Sequence, residues 1–279
     1  MKLFGYAALC VCVGLLVASV AAWYLQGSLI YHPHPYAPVV LAALPPSLVE
    51  IAYDTAQGLQ NAFYLPPYGG PTNAPDALWV LFHGNASLAL EWLVHLRPAS
   101  KTHTGFFFID YPGYGKCAGH SSRDAIIASF EAALRTLQQR HPAVRPAVEQ
   151  SLNALGYSLG AAVALEFATR HATQHIVLLA PFTSMHDIAS HLVVWPITAL
   201  LRERFDNTQA LTILARRPVP PAVTIVHGDA DEVVPVAMGR TLAQTFPAMI
   251  TYHELPGASH GILERAASLL AQAIGGRAD

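Results

Sequence analysis

The sequence predicts an α/β protein: a mostly parallel central sheet with helices on both faces, a short helical insertion, and one apolar helix ahead of them. Three observations carry this. Most of the apolar runs lack the polar alternation of a half-exposed strand, as strands buried on both faces do. Helical patterns separate these runs, and strand–helix–strand repetition builds a doubly wound sheet. The first segment, from Leu3 to Leu25, holds no charged residue. A chain of 279 residues suits one large α/β domain or two small ones, and with 53% hydrophobic and 12% charged residues a sizeable core is easily built. The formal net charge of −2 comes with no basic patch, so nucleic acid is not an expected partner. Of three cysteines, Cys10 and Cys12 sit in the first apolar run and Cys117 stands alone, which excludes a disulfide framework.

In chain order, Lys2 precedes the uncharged run, which is long enough to cross about 30 Å of hydrocarbon as a helix. No Lys or Arg follows until Arg97, so the positive-inside tendency keeps the start in the cytoplasm and exports the rest. Residues 1–27 are expected to be a single-pass membrane anchor or a signal segment, with residues 28–279 forming the exported domain. "ASVAA" (Ala18 to Ala22) offers small residues for cleavage, which would give a secreted protein. The run exceeds the usual signal core, however, and an uncleaved anchor is the preferred reading. "SLIYHPHPYAP" then reads as a linker at the membrane surface. "LVEIAYDT" (Leu48 to Thr55) and "LQNAFYLPP" (Leu59 to Pro67) read as a strand pair turning near Gln57-Gly58. Six further strand candidates follow: "LWVLFHG" from Leu78, "GFFFIDYPGYG" from Gly105, "LNALGYS" from Leu152, "HIVLLAPF" from His175, "AVTIVHGD" from Ala222 and "ITYHELPG" from Ile250. Between them, "SSRDAIIASFEAALRTLQQR" aligns Ile126, Phe130, Leu134 and Leu137 on one stripe, with Ser121 and Asp124 suited to its N-terminal cap. "GAAVALEFATRH" and "ILERAASLLAQAI" are the other helices. The stretch from His186 to Pro218 is mostly helical in pattern and could roof a site, the insertion spanning about residues 183–218.

Gly156-Tyr157-Ser158-Leu159-Gly160 matches G-x-S-x-G, and it follows an apolar strand and precedes a helical run. Small residues are needed there because a sharp strand-to-helix turn leaves no room beside the serine. A serine hydroxyl needs a base to become a nucleophile, and the base needs a carboxylate. Among 14 histidines, His260 stands out, in the loop "PGASHG" between the last strand candidate and the last helix. For the carboxylate, "VHGDADEVVP" supplies Asp229, Asp231 and Glu232, and spacing alone does not choose among them. The loop "LFHGNAS" can aim a backbone N–H at a developing oxyanion; Asn85 is the first candidate and Ala86 the second, acting with the N–H of Leu159. "GYGKC" fails as a phosphate loop, with Asp110 where the first glycine belongs and Cys117 after the lysine. His186 and His191 are spaced five apart, which does not stack metal ligands on one helix face. Leu192, Val193, Val194 and Trp195 are weighed as packing for the insertion ahead of an acyl pocket.

"LIYHP", "FYLPP", "LFHGNA", "DYPGYGKCAGHSS", "GYSLGAAVALEFA", "APFTSM", "RERFDN", "HGDADEVVP" and "GASH", spread from residue 29 to residue 260, together resemble the α/β-hydrolase superfamily. Within it they are similar to the single-pass, N-terminally anchored hydrolases called serine-aminopeptidase-like. The resemblance implies an α/β-hydrolase fold, Ser158 as nucleophile and His260 as base. It implies Asp231 as the acid, at the first position of D-x-x-V-P, leaving Asp229 and Glu232 to shape loops or cap helices. Asp110 and Gly113 are structural in that family. Cys117 departs from it, where relatives often carry serine, with no catalytic consequence expected. The expected activity is hydrolysis of a carboxylic ester or thioester through an acyl-enzyme, with no metal or organic cofactor. The expected substrate is a small acyl-containing molecule, lipid-derived compounds among them. Peptidase or acyltransferase chemistry on the same triad, and a non-catalytic anchored binding protein, are the alternatives.

Overall fold

In the computed structural model of the chain, the described residues are 30–67, 74–96, 103–192 and 203–275, with positions 6, 13, 14 and 26–28 ahead of them. The expected apolar span lies almost wholly outside this set. Among the described residues no helix is long and apolar enough to cross a membrane.

Eight strands form one sheet: β1 (Val49–Thr55), β2 (Gly58–Leu65), β3 (Ala77–Phe82), β4 (Thr104–Ile109), β5 (Leu152–Tyr157), β6 (Thr173–Leu179), β7 (Ala222–Gly228) and β8 (Ile250–Leu255). Their spatial order is β1-β2-β4-β3-β5-β6-β7-β8. The pairs β1–β2 and β2–β4 are antiparallel and every other pair is parallel, so β2 alone runs against the rest. Each strand candidate read from the sequence is a strand here. The interior strands carry mainly apolar, buried residues because both faces are covered; all six residues of β4 are buried. The edge strand β1 instead buries Ile51 and Tyr53 in alternation, as a strand with one covered face should.

The helices used below are α1 (Arg123–Arg140), α2 (Arg145–Gln150), α3 (Leu159–Arg170), α4 (Met185–Leu192), α5 (Asn207–Ala215), α6 (Val236–Thr245) and α7 (Leu263–Gly275). α1, α3 and α5 pack side by side in one layer, while α7 meets the single helical turn Leu93–Leu96. The predicted stripe of α1 is buried at Ile126, Phe130, Leu134 and Leu137. Its cap is one residue later than expected: the Ser122 side chain accepts from the N–H of Ala125, while Ser121 donates to the carbonyl of Pro112. The sequence reading did not single out α2, α6 or the turn at Leu93–Leu96. They are short, and α6 carries a glycine, so periodicity over a long window does not register them.

The insertion leaves and returns through a closed base. Ser184 and Asp206 form an isolated antiparallel bridge, and the N–H of Asn207 donates to the carbonyl of Thr183. Residues 193–202, including Val193, Val194 and Trp195, lie outside the described set, as does the side chain of Leu192 at the end of α4.

The stretch read as a surface linker is packed onto the domain instead. Tyr31 and Tyr36 are 3% and 7% exposed. The Tyr31 hydroxyl donates to Glu203 Oε2 at 2.6 Å, the Tyr36 hydroxyl to Asp110 Oδ2 at 2.6 Å, and the N–H of Gly115 to the carbonyl of His34 at 3.0 Å. A tyrosine offers a large apolar face and one polar tip, so it is as well suited to burial beside an acceptor as to solvent. The sequence did not reveal those distant acceptors.

Candidate active site

At the carboxyl end of β5 the chain turns sharply into α3, and Ser158 sits at the turn. Its φ of 54° and ψ of −115° are sparsely populated for any residue with a side chain, at a cost on the order of 1–3 kcal/mol. Three things hold it there. The N–H of Ser158 donates to the carbonyl of Leu179 at 2.8 Å, its carbonyl accepts from Ala161, and the flanking glycines remove collisions. A Cβ on Gly156 would lie 2.0 Å from the carbonyl oxygen of Gly160, and one on Gly160 would lie 2.0 Å from that of Phe82. Both contacts are to backbone, which cannot swing away. The serine is only 9% exposed.

His260 follows β8. Its Nε2 lies 3.1 Å from Ser158 Oγ and its Nδ1 lies 2.8 Å from Asp231 Oδ2. A carboxylate beside Nδ1 fixes the tautomer: Nδ1 carries the hydrogen, and Nε2 is left as an acceptor facing Ser158 Oγ. Tyr157, the residue before the serine, grips the same loop. Its hydroxyl donates to the carbonyl of His260 at 2.9 Å, and the two rings lie 5.1 Å apart with an interplanar angle of 33°.

Asp231 lies in the loop after β7, and its side chain is fully buried. Oδ1 accepts from the N–H groups of Val233 at 2.9 Å and Val234 at 2.8 Å. Oδ2 faces His260 Nδ1 and, at 3.3 Å, His227 Nε2. Burial pushes the carboxyl pKa up, but hydrogen bonds from His227, His260 and the Val234 N–H outweigh it and hold Asp231 well below the usual carboxylate range. The two neighbouring acids do other work. Asp229 Oδ1 accepts from the N–H of Gly257, and Glu232 Oε2 from the N–H of His260 at 3.2 Å. Both tie the loop after β7 to the loop after β8, and neither reaches an imidazole nitrogen of His260.

The loop after β3 carries Asn85. Among the described residues, neither the N–H of Asn85 nor that of Leu159 has a protein acceptor. Leu159 is the first residue of α3, where unpaired N–H groups and the helix dipole favour negative charge. Ala86, the second candidate, has a φ of 52° and donates to the Asn85 side chain at 3.2 Å. Its N–H is thus already engaged, which favours Asn85.

The structure therefore brings Ser158, His260 and Asp231 into one chain of contacts. Sequence reasoning missed His227. It is buried, and its Nε2 meets the carbonyl of Val234 at 3.0 Å as well as the acid. Two oxygens facing one nitrogen place the hydrogen on Nε2. The available signal was its position four residues before Asp231, in the same strand-to-loop segment. Cys117 is equally plain: its sulfur accepts from the Asn61 N–H at 3.3 Å, and burial pushes the thiol up to about 12, so it stays protonated.

A model of the α/β hydrolase family matches residues 79–207. Among characterised and uncharacterised relatives, an uncharacterised protein of Mycobacterium tuberculosis is 26% identical over 242 residues, covering 85% of this chain and 81% of its own. The human α/β hydrolase domain-containing protein 17B is 26% identical over 196 residues, covering 68% of this chain and 63% of its own. Solved structures share the fold at lower identity. An α/β hydrolase from Vibrio vulnificus superposes with a TM-score of 0.67 at 15% identity, covering 91% of each chain. The Pyrococcus furiosus esterase Pf2001 gives 0.62 at 16%, covering 88% of this chain and 97% of that one. A serine hydrolase without a lid from Xanthomonas campestris gives 0.57 at 18%, covering 83% and 93%.

Proposed function

We propose that this chain is an α/β hydrolase, a serine esterase or thioesterase working through an acyl-enzyme. The observation that carries the proposal is the continuous contact from Ser158 Oγ through His260 to the buried Asp231, with the serine in a strained elbow. Ser158 Oγ attacks the acyl carbonyl while His260 Nε2 takes its proton. The carbonyl oxygen becomes an oxyanion, held by the N–H groups of Leu159 and Asn85. As the tetrahedral adduct collapses, His260 returns the proton to the departing alcohol or thiol and the acyl group stays on serine. Water then repeats the sequence, with His260 as base, and releases the acid. Asp231 remains ionised and stabilises the imidazolium that forms in each half-reaction. The similar Pyrococcus furiosus protein is named an esterase and the Xanthomonas campestris one a serine hydrolase, in keeping with this reading.

The uncharged run from Leu3 to Leu25 supports placing the enzyme in the membrane-anchored group, with its catalytic domain outside the cytoplasm. The substrate is then a small acyl compound, including lipid-derived esters. Ser158→Ala is expected to abolish both labelling by a fluorophosphonate probe and turnover of p-nitrophenyl acyl esters, a fall of at least about 10⁴-fold in kcat. Undiminished turnover in that variant overturns the assignment.

A further inference from the structure

Asn85 commits both ends of its side-chain amide to partners other than substrate. Its Nδ2 donates to the carbonyl of Ile30 at 2.5 Å. Its Oδ1 accepts from the Tyr114 hydroxyl at 2.7 Å and from the N–H of His32 at 3.0 Å. The far end of the same loop is gripped as well. The Tyr36 hydroxyl accepts from the N–H of Leu90 at 3.2 Å and donates to Asp110, whose other oxygen accepts from the N–H of Ala89 at 2.9 Å. So residues 30–36 hold the loop after β3 at both ends, Asn85 and Leu90. They are themselves fixed: Glu203 Oε2 accepts the Tyr31 hydroxyl and the N–H of Arg123, each at 2.6 Å.

We infer that residues 30–36 are a strap that positions the oxyanion loop, with Asn85 and Tyr36 as the positioning residues where it grips. The inference rests on the serine-hydrolase reading above. An oxyanion donor is useful only if it already waits where charge will develop, because reorganising it during the reaction would return the energy it supplies. A loop residue has no strand or helix to hold it in place. Here a side-chain amide with partners at both ends replaces that support and leaves the Asn85 N–H for the substrate. One of the two grips is on Asn85 itself, directly after His83 and Gly84, which lie against Gly160 and Tyr157 of the elbow.

The test uses the full-length chain. Asn85→Asp keeps the size of the side chain and its acceptor for Tyr114 and His32, but sets an oxygen against the carbonyl of Ile30. Tyr36→Phe keeps the buried ring and removes the hydroxyl that joins Leu90 to Asp110. Turnover of a soluble p-nitrophenyl ester is measured per site titrated with fluorophosphonate, alongside the affinity of a trifluoromethyl ketone, which forms an oxyanion adduct with serine. The expected result is a kcat lower by about tenfold or more in each variant, with KM within about twofold and ketone affinity falling by the same factor as kcat. If kcat per titrated site stays within about twofold in both variants, or falls while ketone affinity holds, the inference is overturned. Should Asn85→Asp yield no titratable protein, Tyr36→Phe and Tyr31→Phe decide together; Tyr31→Phe cuts the strap from Glu203 and is expected to show the same pattern. A wild-type chain that never reacts with the probe would instead sink the serine-hydrolase reading itself.

Discussion

His227 touches Asp231, not Ser158 or His260, and so shows how the side chains of the proposed triad depend on their supports. Its Nε2 and the Nδ1 of His260 converge on the same Asp231 oxygen. Replacing His227 by Phe leaves that oxygen with one donor fewer and strips the Val234 carbonyl of a donor. An unsatisfied buried acceptor costs about 1–3 kcal/mol of stability; with Asp231 held by one donor fewer against His260, kcat is expected to fall about tenfold, roughly 1.4 kcal/mol of barrier, with KM nearly unchanged. His227→Gln, which can restore one N–H, should recover part of the loss; steady-state kinetics on both variants is the check. At this scale the sequence was most legible where a residue's neighbours are local. The elbow is readable because Gly156 and Gly160 lie beside Ser158 in the chain and meet backbone oxygens in space. Choosing among Asp229, Asp231 and Glu232 needed the family resemblance, since one turn separates all three and only coordinates show which carboxylate faces His260.

Among the elements, the turn after β4 contributes a carboxyl group whose titration has its own consequence. Burial lifts Asp110 to about 6, although hydrogen bonds from Tyr36 and Ala89 pull the other way. A carboxyl whose folded pKa lies above its unfolded one binds protons more tightly in the native state. Its contribution to stability is therefore greatest at acid pH and declines as pH rises from the unfolded value, about 4, to about 6. Asp231 has the opposite sign. Its depressed folded pKa gives a contribution present above about pH 4 and lost as pH falls below that. Asp110→Asn should remove the decline between about pH 4 and 6, even if it lowers stability throughout, and denaturant midpoints across that range measure it. Strands were legible as elements because buried β-strands of a parallel sheet leave unbroken apolar runs. The cap of α1 was misplaced by one residue because Ser121 and Ser122 are adjacent and chemically alike, and only the Pro112 carbonyl separates their roles.

For the molecule as a whole, the sheet order was the least legible feature. β4 lies between β2 and β3, and no local pattern in the sequence encodes a crossover. The segment 30–36 was misread for the same reason: its partners Asp110, Tyr114 and Glu203 are remote in the chain. The membrane arrangement is an expectation of charge placement, and a reporter fused at the carboxyl terminus should be active only outside the cytoplasm; activity inside would reverse the orientation. The contacts of residues 30–36 also set a limit on how far the front of this chain can be trimmed. The sheet begins at Val49, and a boundary drawn there keeps all eight strands. That boundary discards the Ile30 carbonyl and the Tyr31 and Tyr36 hydroxyls, so the loop after β3 loses its partners while Ser158, Asp231 and His260 all remain in the chain. The shortest useful form starts upstream of Ile30, within a few residues of the end of the uncharged run.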